Sequence, residues 1–198
     1  MNRTIVYIHG QGGNAEEAEH YRSLFPDCRV IGLDYQSQSP REAKEKFPRL
    51  FERLCGQRER VTVIANSIGA YFAMSALSEK QVEKAYFISP VVDMETLIET
   101  MMTWAGVSEK ELREKGEIKT DFGEKLSWEY LSYVREHPIT WNVPTYILYG
   151  GRDNLTSLET IAAFAKQTGA DLAVMEDGEH WFHTEEQMEF LDRWIRSF

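Results

Sequence analysis

The sequence predicts an α/β domain three layers deep, with a mostly parallel six-stranded sheet between two layers of helices. Three observations predict it. Six short apolar runs alternate with stretches of helical periodicity along most of the chain. Most of the runs are continuous rather than alternating, as strands covered on both faces are. The 198 residues, 42% hydrophobic and 27% charged, make about one domain, and at this size roughly 70% of the unfolded surface is buried on folding.

The strands are expected at residues 3–9, 29–34, 61–65, 85–89, 145–149 and 171–175, and the helices at 15–24, 41–54, 68–77, 158–168 and 185–195. Successive parallel strands then join by right-handed crossovers. The stretch 91–142 breaks the rhythm, and no strand is expected in it. Met94, Leu97, Ile98, Met101 and Met102 share one helical stripe. A second helix is expected over 126–134, and the segment 109–125 between them is charged and punctuated by glycine. This insertion is too long for a plain connection. It is expected to be a small helical cap within a single domain 1–198, its stripe closing the core, walling a site, or both.

Charge narrows the function. Twenty-two Lys and Arg against 32 Asp and Glu leave a net charge of −10. That sign argues against nucleic acid, whose binders displace counterions with positive charge, and against docking on an anionic membrane. No apolar run approaches the roughly 20 residues of a bilayer span. The opening Met1-Asn2-Arg3 runs straight into strand-like sequence and reads as no secretory leader. Cys28 and Cys55 are therefore expected to be reduced and the chain cytoplasmic, each thiol in a buried structural role. The histidines and carboxylates have no metal-ligand spacing, and no cofactor is expected.

Four segments, each just past an expected strand, carry candidate chemistry. Ala65-Asn66-Ser67-Ile68-Gly69 ends one strand and opens a helix. A serine at such a turn is strained and exposed, provided the residues two before and two after are small; Ala65 stands where glycine is usual. As a bare serine it would read equally as a helix N-cap. His9-Gly10-Gln11-Gly12-Gly13 follows the first strand, and its glycines let a backbone amide approach a substrate. Acyl transfer needs two such donors at the developing oxyanion, here Gln11 and Ile68. His9 is expected to brace that loop. Gly150-Gly151-Arg152-Asp153 presents a carboxylate and Gly178-Glu179-His180 an imidazole at the same sheet edge, where open α/β sheets collect reactive groups.

Serine, then aspartate, then histidine is the chain order of one hydrolase fold. On these motifs the chain resembles a small serine hydrolase of the α/β-hydrolase superfamily, over nearly its whole length. The resemblance implies a sheet lacking the family's first two strands, with order 2-1-3-4-5-6. It implies Ser67 as nucleophile, His180 as general base and acid, and Asp153 as the group that orients His180. The expected substrate is a small to medium acyl ester or thioester, in an apolar pocket drawn from Met101, Trp104 and Trp181. Asp93 and His183 compete for the acid and base positions. Asp177 reads as turn structure, and His20 and His137 as surface residues. Gly10 to Ala15, with Asp34 further on, also fits a dinucleotide fingerprint, but Glu16, Glu17 and Glu19 would repel a pyrophosphate there.

Overall fold

The computed structural model describes residues 3–55 and 60–198. Met1 and Asn2, where the reading of a leaderless start begins, lie outside them. The chain divides into two compact units, residues 1–92 with 140–198, and residues 93–139.

The larger unit is built on six strands: β1 (Arg3–Ile8), β2 (Arg29–Gly32), β3 (Arg60–Asn66), β4 (Val82–Ile88), β7 (Thr145–Gly150) and β8 (Asp171–Met175). Two further strands, β5 (Glu117–Lys119) and β6 (Lys125–Ser127), belong to the smaller unit. The sheet runs β2-β1-β3-β4-β7-β8, with every pairing parallel. This is the expected 2-1-3-4-5-6 once the two short strands are counted.

Continuous apolar sequence is what a doubly covered strand requires. In β1 and β3, Val6, Ile8, Val63, Ile64 and Ala65 are all fully buried. Tyr7, Ile64 and Tyr86 share one sheet face, packed with Tyr21 of α1 (Glu19–Arg22) and with Leu191 and Trp194 of α8 (Glu185–Ile195). Across a strand the side chains alternate faces, so Val6, Ile8 and Val63 point to the other side. Phe47 of α2 (Pro40–Leu54), Phe72 of α3 (Ile68–Leu77) and Tyr35 meet one another edge to face. Helix α3 is apolar all round, and eight of its ten residues are buried, as such a helix must be. Helix α7 (Leu158–Thr168) connects β7 to β8.

Three expectations need correction here. The helix expected at 15–24 is a 3-10 turn, Ala15–Ala18, running into the four-residue α1. Asn14 and Glu17 form a reciprocal capping box that starts this turn. His20 is half-buried rather than a surface residue, its Nε2 2.7 Å from Asp192 Oδ1 of α8. Both cysteines are free, but Cys28 is only half-buried.

In the smaller unit Asp93 caps α4 (Met94–Ala105), which ends at Gly106 in the left-handed region. Met94, Leu97, Ile98 and Met102 are buried along the expected stripe. The stretch 91–142 is not without strands, and its charged segment 109–125 holds regular elements. Helix α5 (Glu109–Lys115) fills its first half, and β5 and β6 pair antiparallel after it. Gly116 at φ 75° and Gly123 at φ 91° turn the chain there, conformations that favour glycine. Helix α6 (Trp128–Glu136) begins two residues later than expected, because Leu126 and Ser127 belong to β6 and Ser127 caps the helix. Arg135 of α6 joins the helices through Glu95, Glu99 and Glu109, at 2.6, 3.0 and 3.0 Å. Among the described residues no helix is long and apolar enough to cross a membrane.

Candidate active site

Ser67 joins β3 to α3 at φ 51° and ψ −123°, a positive φ that costs a non-glycine residue on the order of 1–3 kcal/mol. The surroundings hold it there. Its N–H donates to Ile88 O at 3.0 Å, and its carbonyl accepts from Ala70 and Val91, both at 3.1 Å. Gly69 is required for a reason outside the turn. A Cβ at that position would lie 2.3 Å from His9 O and 2.7 Å from Ile8 O, so only glycine lets α3 approach the end of β1 this closely. Ala65, the departure from the usual glycine, is fully buried and fits.

The loop after β1 lies against the serine. A Cβ on Gly10 would be 3.2 Å from Ser67 Cβ. Gly13 N–H closes the turn onto Gly10 O, leaving Gln11 exposed within it. Ile68 is the first residue of α3, where a backbone N–H has no partner within the helix. His9 is buried, with Nδ1 2.7 Å from Gly10 O and its ring stacked on Tyr35 at 4.1 Å. Tyr35 OH donates to His9 O at 2.6 Å.

Asp153 and His180 come from the loops after β7 and β8, which interlock backbone to backbone. A Cβ on Gly150 would meet Glu179 O at 2.4 Å, and one on Gly151 would meet Glu176 O at 2.4 Å. Gly151 N–H donates to Met175 O and Arg152 N–H to Gly178 O, each at 2.8 Å. Tyr149 OH anchors the first loop on Thr156 O at 2.7 Å. Burial, and secondarily the charge of Asp153, holds that phenol above its ordinary titration range.

The three side chains form one line. His180 Nδ1 is 2.6 Å from Asp153 Oδ2, and His180 Nε2 is 2.8 Å from Ser67 Oγ. Asp153's side chain is fully buried, and its Oδ1 accepts from Leu155 N–H at 2.8 Å and Thr156 N–H at 3.2 Å. A carboxylate can only accept, so Nδ1 carries the imidazole proton and Nε2 is left to accept from the serine hydroxyl.

The competing residues are engaged elsewhere. Asp93 caps α4 through Thr96, His183 Nδ1 bonds Trp181 O at 2.7 Å, Asp177 pairs with Arg152, and His137 is exposed. Trp181, next after His180, is 71% exposed and stacks on His183. Met101 is half-buried and Trp104 exposed, both on α4 in the other unit. The Gly10-to-Ala15 loop is an unpromising pyrophosphate cradle, since a Cβ on Gly13 would be 2.7 Å from Glu17 Oε1, a carboxylate oxygen.

Sequence reasoning missed a set of residues behind the serine. Tyr7 OH donates to Glu17 Oε2 at 2.5 Å, and Asn66 Nδ2 donates to Tyr7 OH at 2.9 Å. The available signals were the Asn14-x-x-Glu17 capping box and a tyrosine in an otherwise apolar strand, whose buried hydroxyl needs a partner.

No family model matches the chain, and no curated relative does. Solved structures do. Alpha/beta hydrolase domain-containing protein 10 from mouse is similar over 98% of this chain and 88% of its own, with 15% identity and a TM-score of 0.77. Est1E from Butyrivibrio proteoclasticus covers 100% of this chain and 86% of its own, with 15% identity and a TM-score of 0.77. A thioesterase domain from the curacin biosynthetic pathway covers 100% and 92%, with 14% identity and a TM-score of 0.62. The chain has the α/β-hydrolase fold.

Proposed function

We propose that the protein is a serine hydrolase that cleaves a carboxylic ester or thioester of a small to medium acyl group through an acyl-enzyme, without a cofactor. The observation that carries this reading is the line Asp153–His180–Ser67, with spacings of 2.6 and 2.8 Å, ending on a serine at positive φ. The resemblance of the fold to hydrolases and a thioesterase supports it by analogy.

In this reading His180 Nε2 takes the proton of Ser67 Oγ as the oxygen attacks the acyl carbon. Asp153 stabilises the imidazolium. The amides of Gln11 and Ile68 receive the oxyanion, each contributing on the order of 3 kcal/mol. The intermediate collapses, the bond to the leaving oxygen or sulfur breaks, and His180 protonates the departing alcohol or thiol. Water, deprotonated by His180, then attacks the acyl-enzyme and releases the acid and Ser67. Trp181, the residue after His180 and 71% exposed, is the proposed contact for the acyl chain.

The test is a 4-nitrophenyl ester series of increasing acyl length, run on wild type and Ser67→Ala, with fluorophosphonate labelling of both. Turnover should fall by roughly 10⁶ in the variant, and labelling should map to Ser67. Wild-type turnover in Ser67→Ala, or no labelling of the wild-type chain, overturns the reading.

A further inference from the structure

We propose that Glu17, Tyr7 and Asn66 form a positioning chain that holds the loop carrying Gln11 in register with the turn carrying Ile68, and so sets the spacing of the two amides. The inference rests on the hydrolase reading above. Its basis is a run of hydrogen bonds that begins beside one loop and ends beside the other. Glu17 Oε1 accepts from Asn14 N–H at 3.0 Å, just past Gly13. Its Oε2 accepts from Tyr7 OH at 2.5 Å. Tyr7 OH in turn accepts from Asn66 Nδ2 at 2.9 Å, and Asn66 is the residue before Ser67.

The direction of donation is fixed. Glu17 as a carboxylate only accepts, Tyr7 has a single hydroxyl proton, and that proton goes to Glu17. Asn66 must therefore present its amino group to Tyr7 and not its oxygen. Burial, then the neighbouring Tyr21 and Glu17, keep the Tyr7 phenol far above its ordinary range, so it remains a donor at any working pH. The arrangement has a cost. Asn66 Oδ1 is buried with no hydrogen-bond partner among the described residues. An apolar residue would avoid that penalty, which is of the size of a lost hydrogen bond. Packing alone does not explain an asparagine there; bracing the turn does.

None of the three touches the reacting atoms, so they are positioning residues. Tyr7→Phe keeps the ring, which is 1% exposed, and removes both bonds. It should lower kcat on 4-nitrophenyl acetate roughly 10- to 100-fold, the scale of a small misplacement of catalytic groups, with KM nearly unchanged. Glu17→Ala should do the same, and Glu17→Gln, whose single amide oxygen can accept from Asn14 N–H or from Tyr7 OH but not from both, should restore only part of the loss. The Tyr7→Phe/Glu17→Ala double variant should be no slower than either single variant, because the chain acts as a unit. Wild-type kcat in the single variants, multiplicative losses in the double variant, a loss confined to KM, or a loss that only tracks a melting point below the assay temperature each overturns the inference. Should Tyr7→Phe not fold, the Glu17 pair decides alone. Wild-type turnover with unaffected variants removes this inference and leaves the hydrolase reading standing. A wild-type chain that neither turns over nor labels removes both.

Discussion

Asp153 shows how far one side chain can determine a proton's position. Leu155 and Thr156 N–H groups both point at its Oδ1, while Oδ2 faces His180 Nδ1. In Asp153→Asn the amide oxygen must keep the two backbone donors, since an amino group there would oppose them. The amino group then faces Nδ1 and forces the proton onto Nε2, where it blocks acceptance from Ser67. The packing is unchanged, but kcat should fall by about 10⁴, as a wrong tautomer does in an aspartate–histidine–serine arrangement. A loss of less than about tenfold in a 4-nitrophenyl ester assay, with the fold intact by circular dichroism, would contradict that assignment of roles. Ser67, Asp153 and His180 were legible in the sequence because each follows an apolar strand through a small-residue turn. Tyr7, Asn66 and Glu17 were not. Their bonds join residues 59 and 10 positions apart, and no local periodicity encodes a side-chain pairing between strands.

Among the elements, the central strands β1, β3, β4 and β7 could be read because burial on both faces writes itself as an apolar run, and the partly exposed edge strands β2 and β8 were read from shorter apolar runs. The hairpin of β5 and β6 could not be read. Its strands are three residues each, and only Ile118 and Leu126 face each other as an apolar pair, too little for a period-2 pattern. Helix α5 was hidden for a related reason, since Leu112 is its one buried residue. What holds α4, α5 and α6 together includes charge, through Arg135 and its three glutamates. Hydrogen bonding to Arg135 holds Glu109 below the ordinary carboxylate range. A depressed folded value means that the stabilisation is complete above the unfolded-chain value and is lost as pH falls through the folded one. Arg135→Met should therefore speed hydrogen exchange in 93–139 at neutral pH. The difference from wild type should shrink as the carboxylates protonate. An equal difference at neutral pH and at a pH low enough to protonate the glutamates would mean that Arg135 acts through its packing stem and not its charge.

For the molecule as a whole, every residue in the proposed chemistry belongs to the unit formed by 1–92 and 140–198, yet all of them operate in the field of a chain carrying −10. A field of that sign opposes the approach of an anionic substrate and does little to a neutral one. Salt separates the two cases. The screening length falls from about 30 Å at 0.01 M to about 10 Å at 0.1 M, so repulsion felt across the surface at low salt is largely removed at moderate salt. For an ester whose acyl group ends in a carboxylate, kcat/KM should rise roughly two- to tenfold over that range. A neutral ester of equal length should change little. Measuring the pair in one buffer series cancels any general effect of salt on the protein. If the anionic ester instead slows as salt is added, a local cluster of positive charge must dominate the site despite the net balance, and the natural substrate would then be sought among acids.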